Sequence, residues 1–440
     1  MSENELSSLV VEEGKKGGAE DVAATCVTED VKMIRFANNE ITVSKAWLSS
    51  TINFMIVFKK RVAIASIADL SEGSIKKAVH SLLEIAKSTK PNREYESLPR
   101  GPFNYISNPT SESIQTSRLV EYTKDAINGA LSIGAKRVAG TLLFNNINTK
   151  IETSTGASGY DMGSSLEISV RAFTNSEASG QANLCARRER DFFPSKVGQS
   201  AAEIAKEASN PVEGKPGKYN VILGPNVFAN LMNEVISATS AFNVDSGLSF
   251  LKGMLGKRVA SSSLTLIDDG TIIDGINSRA FDDEGVPTRR TEIIKDGILQ
   301  SYLHNSSTAK KFKSSSTGNA GWIVPQPWNI IINKGQDDFQ NLLSELDDGL
   351  YITNNWYTRF QDYRAGDFST VCRDGLFKIR KGKIDQSIKG LRISDNMPRM
   401  LRNIHSLSNK QNWIKWWEVE TPTLTPHVLI KNVNLTKSLM

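Results

Sequence analysis

Glu234 is the one carboxylate in a neutral, largely apolar run, and a carboxylate so placed has two chemical uses. If residues 226–238 form a helix, Val227, Phe228, Leu231, Met232, Val235 and Ala238 fall in one arc. Asn233 then projects from the polar side, and Glu234 sits at the edge of the apolar arc beside Val227. Partial desolvation there raises a carboxyl pKa, which suits a general base that takes a proton from metal-bound water. The other use is structural: a hydrogen-bonded or ion-paired glutamate that anchors the helix. The base needs a metal, and its neighbours offer little to hold one. The residues around it are amides, hydroxyls and apolar groups, whereas zinc takes imidazole, thiolate or carboxylate.

Other candidates carry alternatives of the same kind. Asp282-Asp283-Glu284-Gly285 places three acids together, suited either to a hard cation or to a turn anchored by carboxylate-to-backbone bonds. The Ser/Gly-rich run from Ser314 to Gly321, which contains Asn319, lacks the lysine of a phosphate-cradling loop. Cys372 follows Gly366-Asp367-Phe368-Ser369, but one thiolate without histidine partners cannot complete a tetrahedral site. The four histidines, His80, His304, His405 and His427, are too scattered for a local metal motif or nucleophile–base pair. Cys26, Cys185 and Cys372 form no CxxC and define neither a disulfide framework nor a zinc ribbon. Trp416 and Trp417 point to opposite sides if extended, so one of them is expected at an interface.

At 440 residues, with 39% hydrophobic and 23% charged residues, the chain is expected to be globular with more than one domain. It has no apolar run of about 20 residues and no secretory signal at its N-terminus; a cytoplasmic location is expected. The formal charge of +5 is mild, and the basic clusters around Arg188 and Lys311 are short, which argues against a nucleic-acid groove.

The elements that must position these residues read as α+β. An N-terminal part, residues 1–215, holds an internal duplication of about 5–90 and 118–209. Gly18-Ala19 through Thr25 matches Gly134-Ala135 through Thr141, and Glu84-Ile85-Ala86-Lys87 matches Glu203-Ile204-Ala205-Lys206 at nearly the same offset. Each copy reads as helix, strands, helix. In the first, strands are expected at 21–27, 32–36, 40–44, 51–58 and 61–66, and a helix at 71–88 with Ser71 as N-cap. In the second, a helix at 117–133 leads to strands at 137–144, 150–154, 165–174 and 177–187 and a helix at 196–209. Residues 90–109, with four prolines, read as an extended strap, and 210–218 as a boundary. The C-terminal part, 216–440, has short strands separated by Asp269-Gly270, Asp296-Gly297, Asp374-Gly375 and Lys381-Gly382, expected as turns of a largely antiparallel, barrel-like domain.

With its flanks, residues 221–270, the Leu231–Ala238 run resembles the TldD/PmbA family. So do Asp283-Glu284-Gly285, the Asp296-Gly297 hairpin, Gly366-Asp367-Phe368-Ser369 and the order in which they come. In the family's metallopeptidase members, the TldD type, this helix carries His-Glu-x-x-x-His, whose histidines bind zinc and whose glutamate is the general base. Here the histidine positions are Asn233 and Ala238, and Glu234 alone matches. The resemblance therefore implies a TldE/PmbA-type subunit with no metal or other cofactor of its own. It also implies a TldD-type paralogous partner that carries the zinc, in a heterodimer or larger complex, with unfolded peptides as substrate. Asp283, Glu284, Gly285, Asn319, Asp367 and Cys372 are then expected to line a cleft. The alternative is a peptide-binding or DNA-associated regulatory module without a protease role.

Overall fold

The computed structural model describes residues 3–106 and 110–438. The N-terminal half runs α1 (Glu3–Lys16), β1 (Asp21–Ala37), β2 (Glu40–Phe58), β3 (Arg61–Ile67) and α2 (Glu72–Ser88). It then repeats that order as α3 (Thr116–Ile133), β4 (Arg137–Thr153), β5 (Ser158–Phe173), β6 (Ser179–Ala186) and α4 (Pro194–Glu207). The six strands form one antiparallel sheet in the order β3-β2-β1-β4-β5-β6, so the two runs meet at β1 and β4. Asn38 and Asn39 (φ 52° and 70°) and Lys59 and Lys60 (φ 48° and 60°) turn the hairpins with the left-handed pairs that match strand twist. The Ser71 hydroxyl caps α2 by accepting from the Ser74 amide.

The strands are longer than their apolar alternation predicts. β1 runs unbroken through Thr28-Glu29-Asp30, and β4 through Asn145-Asn146, where the sequence reads as gaps between shorter strands. Backbone pairing continues there because the polar side chains have partners of their own. The Thr28 and Ser50 hydroxyls lie 3.0 Å apart across the ladder. The Asn146 amide donates to the Glu112 carbonyl at 2.7 Å, and Lys32 Nζ to the Ile114 carbonyl at 2.8 Å. Glu112 and Ile114, which follow the strap, are thus held on the sheet by polar side chains of β4 and β1. The strap itself is tied down by Tyr95 and Ser97, which both donate to the Asp21 carboxylate. The last residues of the expected strap, 107–109, lie outside the described residues.

The second half contains β7 (Val212–Glu213), β8 (Gly217–Leu223), α5 (Pro225–Ala238), α6 (Ala241–Asp245), β9 (Leu266–Asp269), β10 (Arg290–Lys295), β11 (Ile298–Leu299), α7 (Ser306–Lys311), β12 (Ile330–Ile332) and α8 (Phe339–Leu346). β13 (Gly349–Asp362), β14 (Asp367–Arg380), β15 (Lys383–Lys389), β16 (Leu391–Asn396), α9 (Met397–Arg402), β17 (Ile404–Leu407), β18 (Asn412–Trp416), β19 (Val419–Thr425) and β20 (Val428–Lys437) complete it. One sheet has the order β11-β10-β9-β12-β19-β18. The other has the order β13-β8-β20-β16-β14-β15-β7 and becomes ring-like because β13 also pairs with β14. The fold is α+β, and its second half is antiparallel except where β12 meets β19, β13 meets β8 and β15 meets β7. α5 runs through the core of this half. Val227, Phe228, Leu231, Met232 and Val235 are buried against Leu223, Ile352, Ile393 and Val428. Among the described residues no helix is long and apolar enough to cross a membrane.

Two of the expected turns differ. Asp296-Gly297 and Lys381-Gly382 turn hairpins with positive φ. Asp269 instead ends β9, and Asp374-Gly375 lies inside β14 at a shift of register. The Asp374 carboxylate, fully buried, accepts from Arg171 Nη2 at 2.5 Å, Ser179 Oγ at 2.6 Å and Asn354 Nδ2 at 2.8 Å. The first two donors come from the N-terminal sheet, so the Asp-Gly step serves to join the halves rather than to reverse the chain.

Candidate functional site

Asn226, Asn230, Asn233 and Ser237 recur at helical spacing along α5 and form its polar edge. The Asn226 carbonyl accepts from the Asn183 amide of β6 at 3.2 Å. Asn230 donates to the Glu418 carbonyl at 2.7 Å, and its own side-chain oxygen accepts from Asn355 Nδ2 at 2.8 Å and Thr358 Oγ1 at 2.6 Å. Asn233 Nδ2 lies 3.2 Å from the Thr421 carbonyl and 3.0 Å from Thr423 Oγ1, while its Oδ1 accepts from the Thr421 amide at 2.9 Å. The edge of α5 is therefore laced to β6, β13 and β19 and to the turn before β19. Buried amides need such partners, and each bond contributes about 1 kcal/mol.

Glu234 lies one residue round the helix from this seam and faces open space. It lines a cavity of about 690 Å³ with Asn233, Asn277, Arg359, Glu418 and Glu420, and a smaller one of about 220 Å³ with Ala238, Phe250, Phe360 and Tyr363. Burial lifts its carboxyl to about 7. Arg359 pulls the value down, and Glu418 and Glu420 push it up. Ala238 lies at the end of α5 beside a stack of rings, with Phe250 6.2 Å from Phe360 and Phe360 5.1 Å from Tyr363. Of Asn233, Glu234 and Ala238, only Glu234 offers a zinc donor. No three His, Cys, Asp or Glu side chains converge to hold a metal among the described residues. This donor set does not fit a zinc ion.

The remaining sequence candidates lie elsewhere. The Asp282 carboxylate accepts from the amides of Glu284, Val286 and Ala320, a turn anchored as one of the two readings required. Asp283 sits 3.6 Å from Arg279. Glu284 accepts from the Ser306 amide at the start of α7 at 3.0 Å, beside the Asn305 cap, and the Gly285 carbonyl accepts from the Tyr105 hydroxyl at 2.8 Å. Asn319 is buried and donates to Asp268 at 2.6 Å and to the carbonyl of Gln326 at 2.9 Å; Gln326 itself lines the larger cavity. Asp367 accepts from Asn396 and lines a separate open cleft with Arg392. Burial pushes the Cys372 thiol up to about 12, and the residue lines neither cavity beside Glu234.

A family model for the PmbA/TldA metallopeptidase C-terminal domain matches residues 216–437, the span that holds α5, β19 and both cavities. The chain belongs to the PmbA/TldD family. Metalloprotease PmbA of Escherichia coli O157:H7 is 27% identical over 432 residues, which cover 93% of this chain and 91% of that protein. The fold matches that of TldE from Thermococcus kodakarensis at 20% identity, with a TM-score of 0.88 over 98% of this chain and 100% of that one. It also matches a candidate modulator of a DNA gyrase from Thermotoga maritima at 24% identity, with a TM-score of 0.87 over 99% of this chain and 100% of that one. Relatives of this PmbA/TldD protein named as metalloproteases give it a protease-related role.

Four residues that the sequence did not single out shape this site: Arg359, Glu418, Glu420 and Asn230. Glu418 and Glu420 had a usable signal, two acids at strand spacing beside Trp417. Arg359 had none, because it reaches the cavity through an irregular stretch of β13 where Tyr357 takes a φ of 56°.

Proposed function

We propose that this chain is a TldE/PmbA-type subunit of a heteromeric zinc metallopeptidase that acts on unfolded peptides in the cytoplasm. Its TldD-type partner supplies the metal, and this chain carries none. The observation that carries the reading is the use made of Asn233. Its amide is spent on both backbone groups of Thr421, and Ala238 faces rings, so the two positions where the metallopeptidase type is expected to present imidazoles serve packing instead. Glu234 keeps its cavity and its raised carboxyl pKa without a metal-bound water to act on. In this reading the chain encloses the active site of its partner, excludes folded proteins and holds an extended peptide.

The test is assembly. Mixed with a TldD-type paralogue bearing an intact His-Glu-x-x-x-His, this chain is expected to elute as a stable complex by size-exclusion chromatography with light scattering. Two separate species at micromolar concentration contradict the proposal. The same mixture addresses the regulatory alternative, since a module of that kind retains duplex DNA with a steep salt dependence.

A further inference from the structure

Another cavity, of about 590 Å³, opens beside Trp417. Trp417 lines both this cavity and the one that holds Glu234, and it is 65% exposed. Its ring is held edge-on by Trp416 at 5.4 Å and Trp356 at 6.4 Å. A large exposed ring so braced loses little freedom on binding, which is what an anchor for a flexible ligand requires.

The charge of this cavity is uneven. Its cations are Arg35, Arg171 and Lys415, and its one acid is Glu167. Lys415 is paired with Glu167, and Arg171 with Asp374 from β14. Arg35 is exposed and has no ion pair among the described residues. One uncompensated guanidinium therefore faces the space, next to the partly exposed apolar side chains of Val43 and Leu143. A single cation beside an apolar wall complements one negative charge attached to an apolar body, and a guanidinium holds a carboxylate through two parallel hydrogen bonds.

We propose that the cavity between the N-terminal sheet and Trp417 binds the C-terminal carboxylate and last apolar side chain of an extended peptide. Arg35 holds the carboxylate, and the chain passes over Trp417 toward the Glu234 cavity. The inference rests on the peptide-holding part of the proposed function and adds a direction to it: the peptide's carboxyl end lies on the Arg35 side.

Fluorescence anisotropy of the full chain with a short unstructured peptide, labelled at its amino end and ending in leucine, tests it. The free-acid form is expected to bind about tenfold more tightly than the same peptide amidated at its C-terminus. Arg35→Gln removes that difference and leaves the amidated peptide unaffected, while Trp417→Ala weakens both. Equal binding of acid and amide overturns the inference and leaves peptide holding intact. A tenfold preference that survives Arg35→Gln also overturns it. Binding of neither form overturns the inference and the peptide-holding reading together.

Discussion

Asn233 and Thr421 form a two-way amide clasp. The Asn233 side-chain oxygen accepts from the Thr421 N–H at 2.9 Å, and its nitrogen lies 3.2 Å from the Thr421 carbonyl. An asparagine side chain here occupies the place of one more paired backbone unit beside β19. Removing it strands a strand amide and carbonyl against the helix. Asn233→Ala is expected to destabilise the protein by about 1–3 kcal/mol, read as a lowered urea midpoint with an unchanged slope. A change under about 0.5 kcal/mol would mean that the clasp adds little.

The purified chain is expected to carry no stoichiometric zinc. Metal analysis after dialysis checks this, and one tightly held zinc per chain would overturn the subunit assignment. The double substitution Asn233→His with Ala238→His places two imidazoles beside Glu234 but breaks the clasp. Gained zinc is therefore expected to be weak and accompanied by lost stability.

Glu234 makes stability depend on pH in a definable window. Its folded value of about 7 lies above the ordinary 4.5. Below about pH 4.5 the group is protonated in both states and contributes nothing. As pH rises from there to about 7, the unfolded chain ionises first and folding becomes less favourable; above 7 the penalty is complete. Arg359, Glu418 and Glu420 are the charged groups that set this value. Glu234→Gln should therefore stabilise the protein by about 1–3 kcal/mol at pH 8, discounting for partial exposure, and by almost nothing at pH 4.5. An equal gain at both pH values would show that the effect is not ionisation.

Asp374→Ala removes the acceptor shared by Arg171, Ser179 and Asn354. Because Ser179 and Asn354 lose a buried acceptor and the partly exposed Arg171 loses its counter-charge, a loss of about 1–3 kcal/mol is expected, with the halves unfolding in separate steps. A single transition shifted by less than about 1 kcal/mol would argue that the halves are joined by their apolar contacts alone.

The sequence made some of this legible and hid the rest for physical reasons. Helices with strong periodicity and caps were readable: α2 begins after Ser71 and α3 ends at Gly134, which takes a φ of 105°. The hairpins at Asn38-Asn39 and Lys59-Lys60 were readable from turn chemistry. The length of β1 and β4 was not, because mid-strand polar residues such as Asn146 pair with the segment that follows the strap, a contact no local pattern reports. Glu234 was legible as a carboxylate at an apolar edge, and its raised pKa follows from that position. The clasp on Asn233 was not, since Thr421 is 188 residues away in sequence. Asp374 looked like half of a turn because Asp-Gly is the commonest short hairpin signal, and tertiary ion pairing overrode it.

In the proposed assembly this chain completes a zinc peptidase without being one. The most direct measurement is cleavage of an unstructured peptide by this chain, by a TldD-type partner and by their mixture, each with and without a chelator. No cleavage by this chain alone is expected, and the mixture is expected to show chelator-sensitive cleavage that exceeds that of the partner alone. Chelator-insensitive cleavage by this chain alone, or a mixture no more active than the partner, would contradict it.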